Sequence, residues 1–211
     1  MTAATTSLSP SWARREAHHE PYRWLATEPG DLFAPGVAEE LAACFPEDGY
    51  VRLDTSDRES GKRYRNRSRA VDSSPQDGDD AGLPEPWRRL VDELRTGDYR
   101  TQVARVLGQE PASGLEIRLV RHGGGDWLGP HTDRADKLFS HIVYFNPGWR
   151  AEWGGCLEIL PGEHDPAVAR VVPCLGASAL LCQAPNSWHQ VTAVAPGAER
   201  ERRSLLVHGL R

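Results

Sequence analysis

The chain has 211 residues, enough for one domain with a closed core and too few for two ordinary ones. Its 25 basic and 30 acidic side chains give a formal net charge of −5, which offers no general attraction to phosphate backbones or anionic membranes, so nucleic acid is not an expected partner. No stretch approaches the ~18 apolar residues of a membrane span and no apolar segment follows a basic start, so a cytoplasmic protein with no membrane partner is expected.

Residues 1–20 are polar and are expected to be flexible, with one domain over 21–211. "DLFAPGVAEELAACFP" places Val37, Leu41, Cys44 and Phe45 at helical spacing, Pro46 stops the pattern, and "GYVRLD" follows as a short strand. From 54 to 82 the residues are charged, serine-rich and poor in aliphatics, which reads as a polar loop or lid. Its basic run "GKRYRNRSR" is normally a solvated face, or, in a lid, a set of cations for a substrate carboxylate or phosphate. "EPWRRLVDELRTG" carries Trp87, Leu90, Val91 and Leu94 on one helical face with Gly97 at its end, and "DYRTQVARVLGQEP" repeats the pattern with Tyr99, Val103, Val106 and Leu107 before Gly108. Beyond Pro111 the texture changes to short strands between Gly/Pro turns: "LEIRLVRH", "FSHIVYFN", "GGCLEIL", "ARVVPCL", "SALLCQA", "HQVTAV" and "RRSLLVHGL". Helices first and closely spaced strands afterwards predict an α+β domain whose back half is a sandwich or jelly roll. Cys44, Cys156, Cys174 and Cys182 lack CxxC spacing and read as small core residues.

One short segment carries the chemistry. In "GPHTD", His131 and Asp133 stand two apart on an extended stretch, so both side chains point to one side and both reach one ion. A second histidine from a distant strand, His189 in "NSWHQVTAV", completes a two-histidine, one-carboxylate set that leaves coordination positions open. An HxD pair alone also arises by chance. A third element is "ERRSLLVHGLR", where Arg202 and Ser204 share one face of a strand. A guanidinium there suits a buried carboxylate, whereas an arginine opening a strand is otherwise a solvated edge residue. Alternation puts Ser204 beside Arg202 and turns Arg203 outward.

"VRHGGGDWLGPHTD", "FSHIVYFNPGWRAEWGGCLEIL", "SWHQVTAV" and "RRSLLVHGL", in this order from about Glu116 onward, resemble the 2-oxoglutarate/Fe(II)-dependent dioxygenases, in the prolyl-hydroxylase-like branch. The resemblance implies a double-stranded β-helix, a jelly-roll or cupin-like barrel with N-terminal flanking helices. It implies Fe(II) held by His131, Asp133 and His189, with 2-oxoglutarate as co-substrate and O2 as oxidant. Arg202 would take the distal carboxylate of 2-oxoglutarate, with Ser204 and Tyr144 hydrogen-bonding to the same end. One departure from the branch is His122, where an aromatic residue, often tyrosine, is common; it lines the pocket or is a satisfied barrel histidine. Arg118, His122, Trp127 and Arg134 are the candidate substrate contacts. The implied reaction is hydroxylation of an unactivated C–H bond of a small molecule such as an amino acid or biosynthetic intermediate, with release of succinate and CO2. The competing readings are a peptidyl hydroxylase acting on a protein side chain and a non-catalytic jelly-roll binding module. No motif specifies the substrate or the oligomeric state.

Overall fold

The computed structural model describes residues 6–55, 61–72 and 82–211. Its first half supplies β1 (Trp24–Thr27), α1 (Val37–Ala43), β2 (Val51–Asp54), β3 (Tyr64–Asp72), α2 (Glu85–Arg95) and α3 (Gly97–Leu107). The second half is almost all strand: β4 (Gly114–His122), β5 (Trp127–His131), β6 (Lys137–Tyr144), β7 (Leu157–Ile159), β8 (Ala169–Val171), β9 (Ser178–Cys182), β10 (His189–Val191) and β11 (Arg202–Leu210). The hydrogen-bonded order is β1-β9-β6-β11-β4-β3-β5-β10-β7-β8, with β2 paired to β3. Each of these pairings is antiparallel. β11 therefore lies between β4 and β6, and β10 between β5 and β7, so late strands intercalate between earlier ones. That interleaving curls the sheet into the nearly closed double-stranded β-helix expected from the strand-rich half.

Three central strands, β4, β6 and β11, explain where the core sits. Side chains alternate across a strand: Ile117, Leu119, Val143, Phe145, Leu205 and Val207 face outward into one apolar cluster with Trp87, Leu90, Val91 and Val103 of the helices. The alternate residues face the barrel interior, where Ile142, Tyr144, Leu157, Ile159, Leu181 and Val191 form a second cluster. Each fully buried aliphatic or aromatic side chain contributes roughly 2 kcal/mol, so the helix-covered outer face supplies much of the stability of these strands. α2 begins on proline-led geometry and buries Trp87, Leu90, Val91 and Leu94 as the periodicity predicts. Gly97 does not end α2 as expected; it opens α3, whose own end is Gly108 in the left-handed conformation.

Two expectations are revised. Residues 6–20 do not fray: Trp12 is 0 % exposed, and the Ser7 and Leu8 amides donate to the Glu93 carboxylate at 2.7 and 3.1 Å. Isolated apolar residues in a polar segment carry no periodicity, which is why this anchoring is invisible in the sequence. The 54–82 loop or lid contains β3, which bridges β2, β4 and β5. Arg65 pairs with Asp54, Arg67 with Glu201, and Arg69 donates to the Asp48 carbonyl, so most of the basic run is consumed by the sheet. Residues 1–5, 56–60 and 73–81, which share those expectations, lie outside the described residues. Alternating arginines mask the strand because their heads reach partners on its edges.

Behind the barrel, buried His141 is held neutral between Tyr99 Oη (2.9 Å from Nδ1) and Ser178 Oγ (3.0 Å from Nε2), and burial pushes its pKa from the usual 6.5 down to about 3. A folded-state value below the unfolded one means protonation favours unfolding, so the contribution is intact above pH 6.5 and is lost as pH falls toward 3. Wild type should therefore lose stability relative to His141→Gln at roughly 1.4 kcal/mol per pH unit below 6.5 in urea titrations; parallel pH profiles would refute this. Trp12→Ala should cost about 3–5 kcal/mol in the same assay, whereas a frayed segment would cost nothing.

Candidate functional site

The site begins with an irregularity in β5. His189 of β10 lies opposite His131, and Val191 opposite Leu128, so the stretch Leu128–His131 faces a shorter stretch of β10 and the register slips. The extra residue is a β-bulge, which turns both Leu128 and His131 into the barrel, where strict alternation would have sent them to opposite faces. Asp133 follows in the turn to β6. One ligand atom from each of His131, Asp133 and His189 lies within 4.8 Å of the others, and the two imidazole centroids are 4.2 Å apart.

Neighbouring groups orient all three side chains. His131 Nδ1 donates to the Gly129 carbonyl (3.0 Å) and His189 Nδ1 to the Ser187 carbonyl (2.9 Å). A carbonyl only accepts, so the proton sits on Nδ1 and the lone pair on Nε2 is free, the tautomer a metal requires. Burial pushes His131 well below the ordinary imidazole pKa, with His189 adding to it, and burial likewise lowers His189 against the pull of Asp133. Asp133 accepts from Lys137 Nζ at 2.9 Å and from Ser140 Oγ at 2.6 Å. Burial works to raise its pKa, but His189, Lys137 and Lys62 hold it well below the usual carboxylate value. Two neutral imidazoles and an ionised carboxylate are a donor set suited to Fe(II) with positions left open.

Deeper along β11 lies a second feature. Arg202 is 2 % exposed, and its hydrogen-bonding neighbours are neutral: Nε donates to the Gly155 carbonyl (2.7 Å), and Nη1 lies 3.1 Å from Ser204 Oγ and 3.4 Å from His122 Nδ1. Among the described residues no carboxylate pairs with it. Tyr144, across the register from Ser204, lies under the guanidinium with its ring centroid 5.0 Å away. The Tyr144 hydroxyl and His122 Nε2 are both buried without a hydrogen-bond partner. Gly155 has φ +65°, and a Cβ there would come within 3.0 Å of Arg202 Cδ, so glycine lets the guanidinium lie against the backbone.

Both features open on one cavity of about 530 Å³. Its floor is three strands in register: Arg202 faces His122, Ser204 faces Val120 and Tyr144, Leu206 faces Arg118 and Ile142, and His208 faces Glu116 and Ser140. Of the expected substrate contacts, Arg118, His122 and Arg134 line the cavity and Trp127 does not. The bulge explains the difference, since Trp127 is one residue from inward-facing Leu128 and its ring closes over Gly129 instead. Arg203 turns outward, pairing with Glu47.

Sequence reasoning missed Lys137, Ser140 and His208, which with Lys62 of the basic run surround Asp133. Lys137 is 4 % exposed and also lies 3.1 Å from His208 Nε2, whose Nδ1 is 2.7 Å from Ser140 Oγ. His208 was findable, being two steps beyond Leu206 on the period that already joins Arg202 to Ser204. Burial lowers the Lys62 pKa to about 8, with Asp133 opposing.

Comparison with known proteins fits this geometry. Residues 117–208 match the model of the 2OG-Fe(II) oxygenase superfamily. No curated protein matches the chain. Among solved structures, a Pseudomonas putida prolyl-4-hydroxylase is 19 % identical with a TM-score of 0.66, covering 96 % of this chain and 100 % of that one. A Trichoplax adhaerens prolyl hydroxylase, solved with a hypoxia inducible factor oxygen degradation domain peptide, is 16 % identical with a TM-score of 0.65, covering 89 % and 83 %. The non-heme alpha ketoglutarate dependent epimerase SnoN from nogalamycin biosynthesis is 19 % identical with a TM-score of 0.54, covering 88 % and 78 %. At these identities the structural likeness speaks for the fold.

The triad geometry predicts one Fe(II) bound per chain in anaerobic calorimetry, with affinity lowered at least about tenfold in His131→Ala and His189→Ala. Unchanged affinity in either variant would exclude that residue as a ligand.

Proposed function

Because this chain carries a 2OG-Fe(II) oxygenase domain and is a dioxygenase using Fe(II), 2-oxoglutarate and O2, we propose that it hydroxylates an unactivated C–H bond of a small molecule, releasing succinate and CO2. The observation that carries the reading is the isolated charge of Arg202. A buried guanidinium without a counterion costs several kcal/mol, and its position in the same cavity as the triad calls for an anionic ligand that also reaches the metal. A dicarboxylate with a chelating keto-acid end satisfies both ends at once.

In this reading His131, Asp133 and His189 hold Fe(II), and Arg202 with Ser204 and Tyr144 takes the distal carboxylate of 2-oxoglutarate. The bound metal and co-substrate supply O2 activation and the oxidant that removes hydrogen from the substrate. The chain's own part is positional. Gly129 and Ser187 carbonyls fix both imidazole tautomers, Ser140 and Lys137 hold the carboxylate in place, and Val120, Ile142 and Leu206 keep the middle of the cavity apolar. A cavity of about 530 Å³ is of the size that takes a small molecule.

The test is an anaerobic titration with Fe(II) and then 2-oxoglutarate, following the weak visible charge-transfer band of the chelate. The band should appear in wild type, and Arg202→Met should bind Fe(II) normally while requiring about 10- to 100-fold more 2-oxoglutarate. A normal 2-oxoglutarate requirement in that variant would remove Arg202 from the co-substrate site, and absence of the band in wild type would overturn the reading.

A further inference from the structure

The cavity wall around Asp133 holds more positive than negative charge. Lys62, Arg118, Arg134 and Lys137 line it, against Asp133 and Glu116. Both carboxylates are already engaged: Asp133 by Lys137 and Ser140, Glu116 by Arg118 Nε at 2.7 Å and Arg134 Nη2 at 3.4 Å. Lys62 is left over. Among the described residues its ammonium makes no hydrogen bond or ion pair, although it is half-buried and close enough to the triad to be felt by Asp133.

The backbone beneath Lys62 is fixed. Thr55 closes the β2–β3 hairpin, its amide donating to the Tyr64 carbonyl at 2.9 Å, its hydroxyl accepting from the Tyr64 amide at 2.9 Å and donating to the Lys62 carbonyl at 3.2 Å. The side chain thus enters the cavity from a tied strand end, on the wall away from Arg202. A half-buried ammonium with no partner favours an anion beside it.

We propose that Lys62 is a specificity-determining residue that binds a carboxylate of the primary substrate, making the substrate a small carboxylic acid. The inference rests on the oxygenase reading above and adds the substrate class. A carboxylate is favoured over a phosphate monoester by charge matching: Arg118 pairs with Glu116, Arg134 with Asp136 and Lys137 with Asp133, so Lys62 offers one uncompensated positive charge, which a monoanion neutralises and a dianion exceeds.

The experiment uses the protein loaded anaerobically with Fe(II) and 2-oxoglutarate. Calorimetry then measures binding of a panel of small α-amino, α-hydroxy and aromatic carboxylic acids, each paired with its primary amide, alongside phosphate monoesters. At least one acid should bind, its amide at least tenfold more weakly. Lys62→Met should erase that preference by weakening the acid alone, and Lys62→Arg should keep it. Equal binding of acids and amides, preference for phosphate monoesters, binding of no acid, or an undiminished preference in Lys62→Met would each overturn the inference while leaving the oxygenase reading intact. Loss of the charge-transfer band in wild type would instead overturn the oxygenase reading, and this inference with it.

Discussion

The structure depends on burying both faces of β4, β6 and β11. Most of their outward residues are apolar and sealed by α2, α3 and the N-terminal segment, and this outer layer stabilises strands whose inward residues include Arg202, His122, Lys137, Ser140 and His208, all buried. Polar and charged groups in such surroundings cost free energy unless paired. The helices are thus not an appendage to the barrel. They offset the cost of a polar interior, and a sheet solvated on its outer face would have little with which to do so.

Legibility in the sequence followed the same division. Strands covered on both faces read as apolar runs, so β4, β6, β9 and β11 stood out, as did α2 and α3 with their four-residue stripes. The triad was legible because its histidines and aspartate sit at the edges of those runs, and Arg202 because alternation puts it on one face with Ser204 in the strand that follows His189. What stayed hidden has physical reasons. β3 is dressed in arginines whose partners are Asp54, Glu201 and the Asp48 carbonyl, none of them adjacent in sequence. Trp12 anchors its segment with one side chain, and a single residue has no period. Lys137 carries no signal in the sequence; that it is buried against Asp133 and His208 follows only from the fold of β6 against β11.

The cavity is polarised along its floor. At one end the Arg202 guanidinium is surrounded by neutral groups; towards the other, Lys62, Arg118, Arg134, Lys137 and Glu116 gather around Asp133; Val120, Ile142 and Leu206 lie between them on the floor. Coulomb interactions strengthen where water is excluded, so the guanidinium and the charges around Asp133 act as two electrostatic sites within one cavity. A ligand anchored at either end is thereby oriented before any chemistry begins.

The bulge in β5 also bears on how the site tolerates change. Cross-strand partners share a face, so His131 and Leu128, opposite His189 and Val191, both face the barrel although three positions separate them. Losing one codon between them, at Gly129 or Pro130, would leave the two side chains two apart on a regular pleat and still facing inward. The direction of the imidazole is thus set by its pairing with β10, and what the extra residue changes is the local bend and twist with which the strand delivers it.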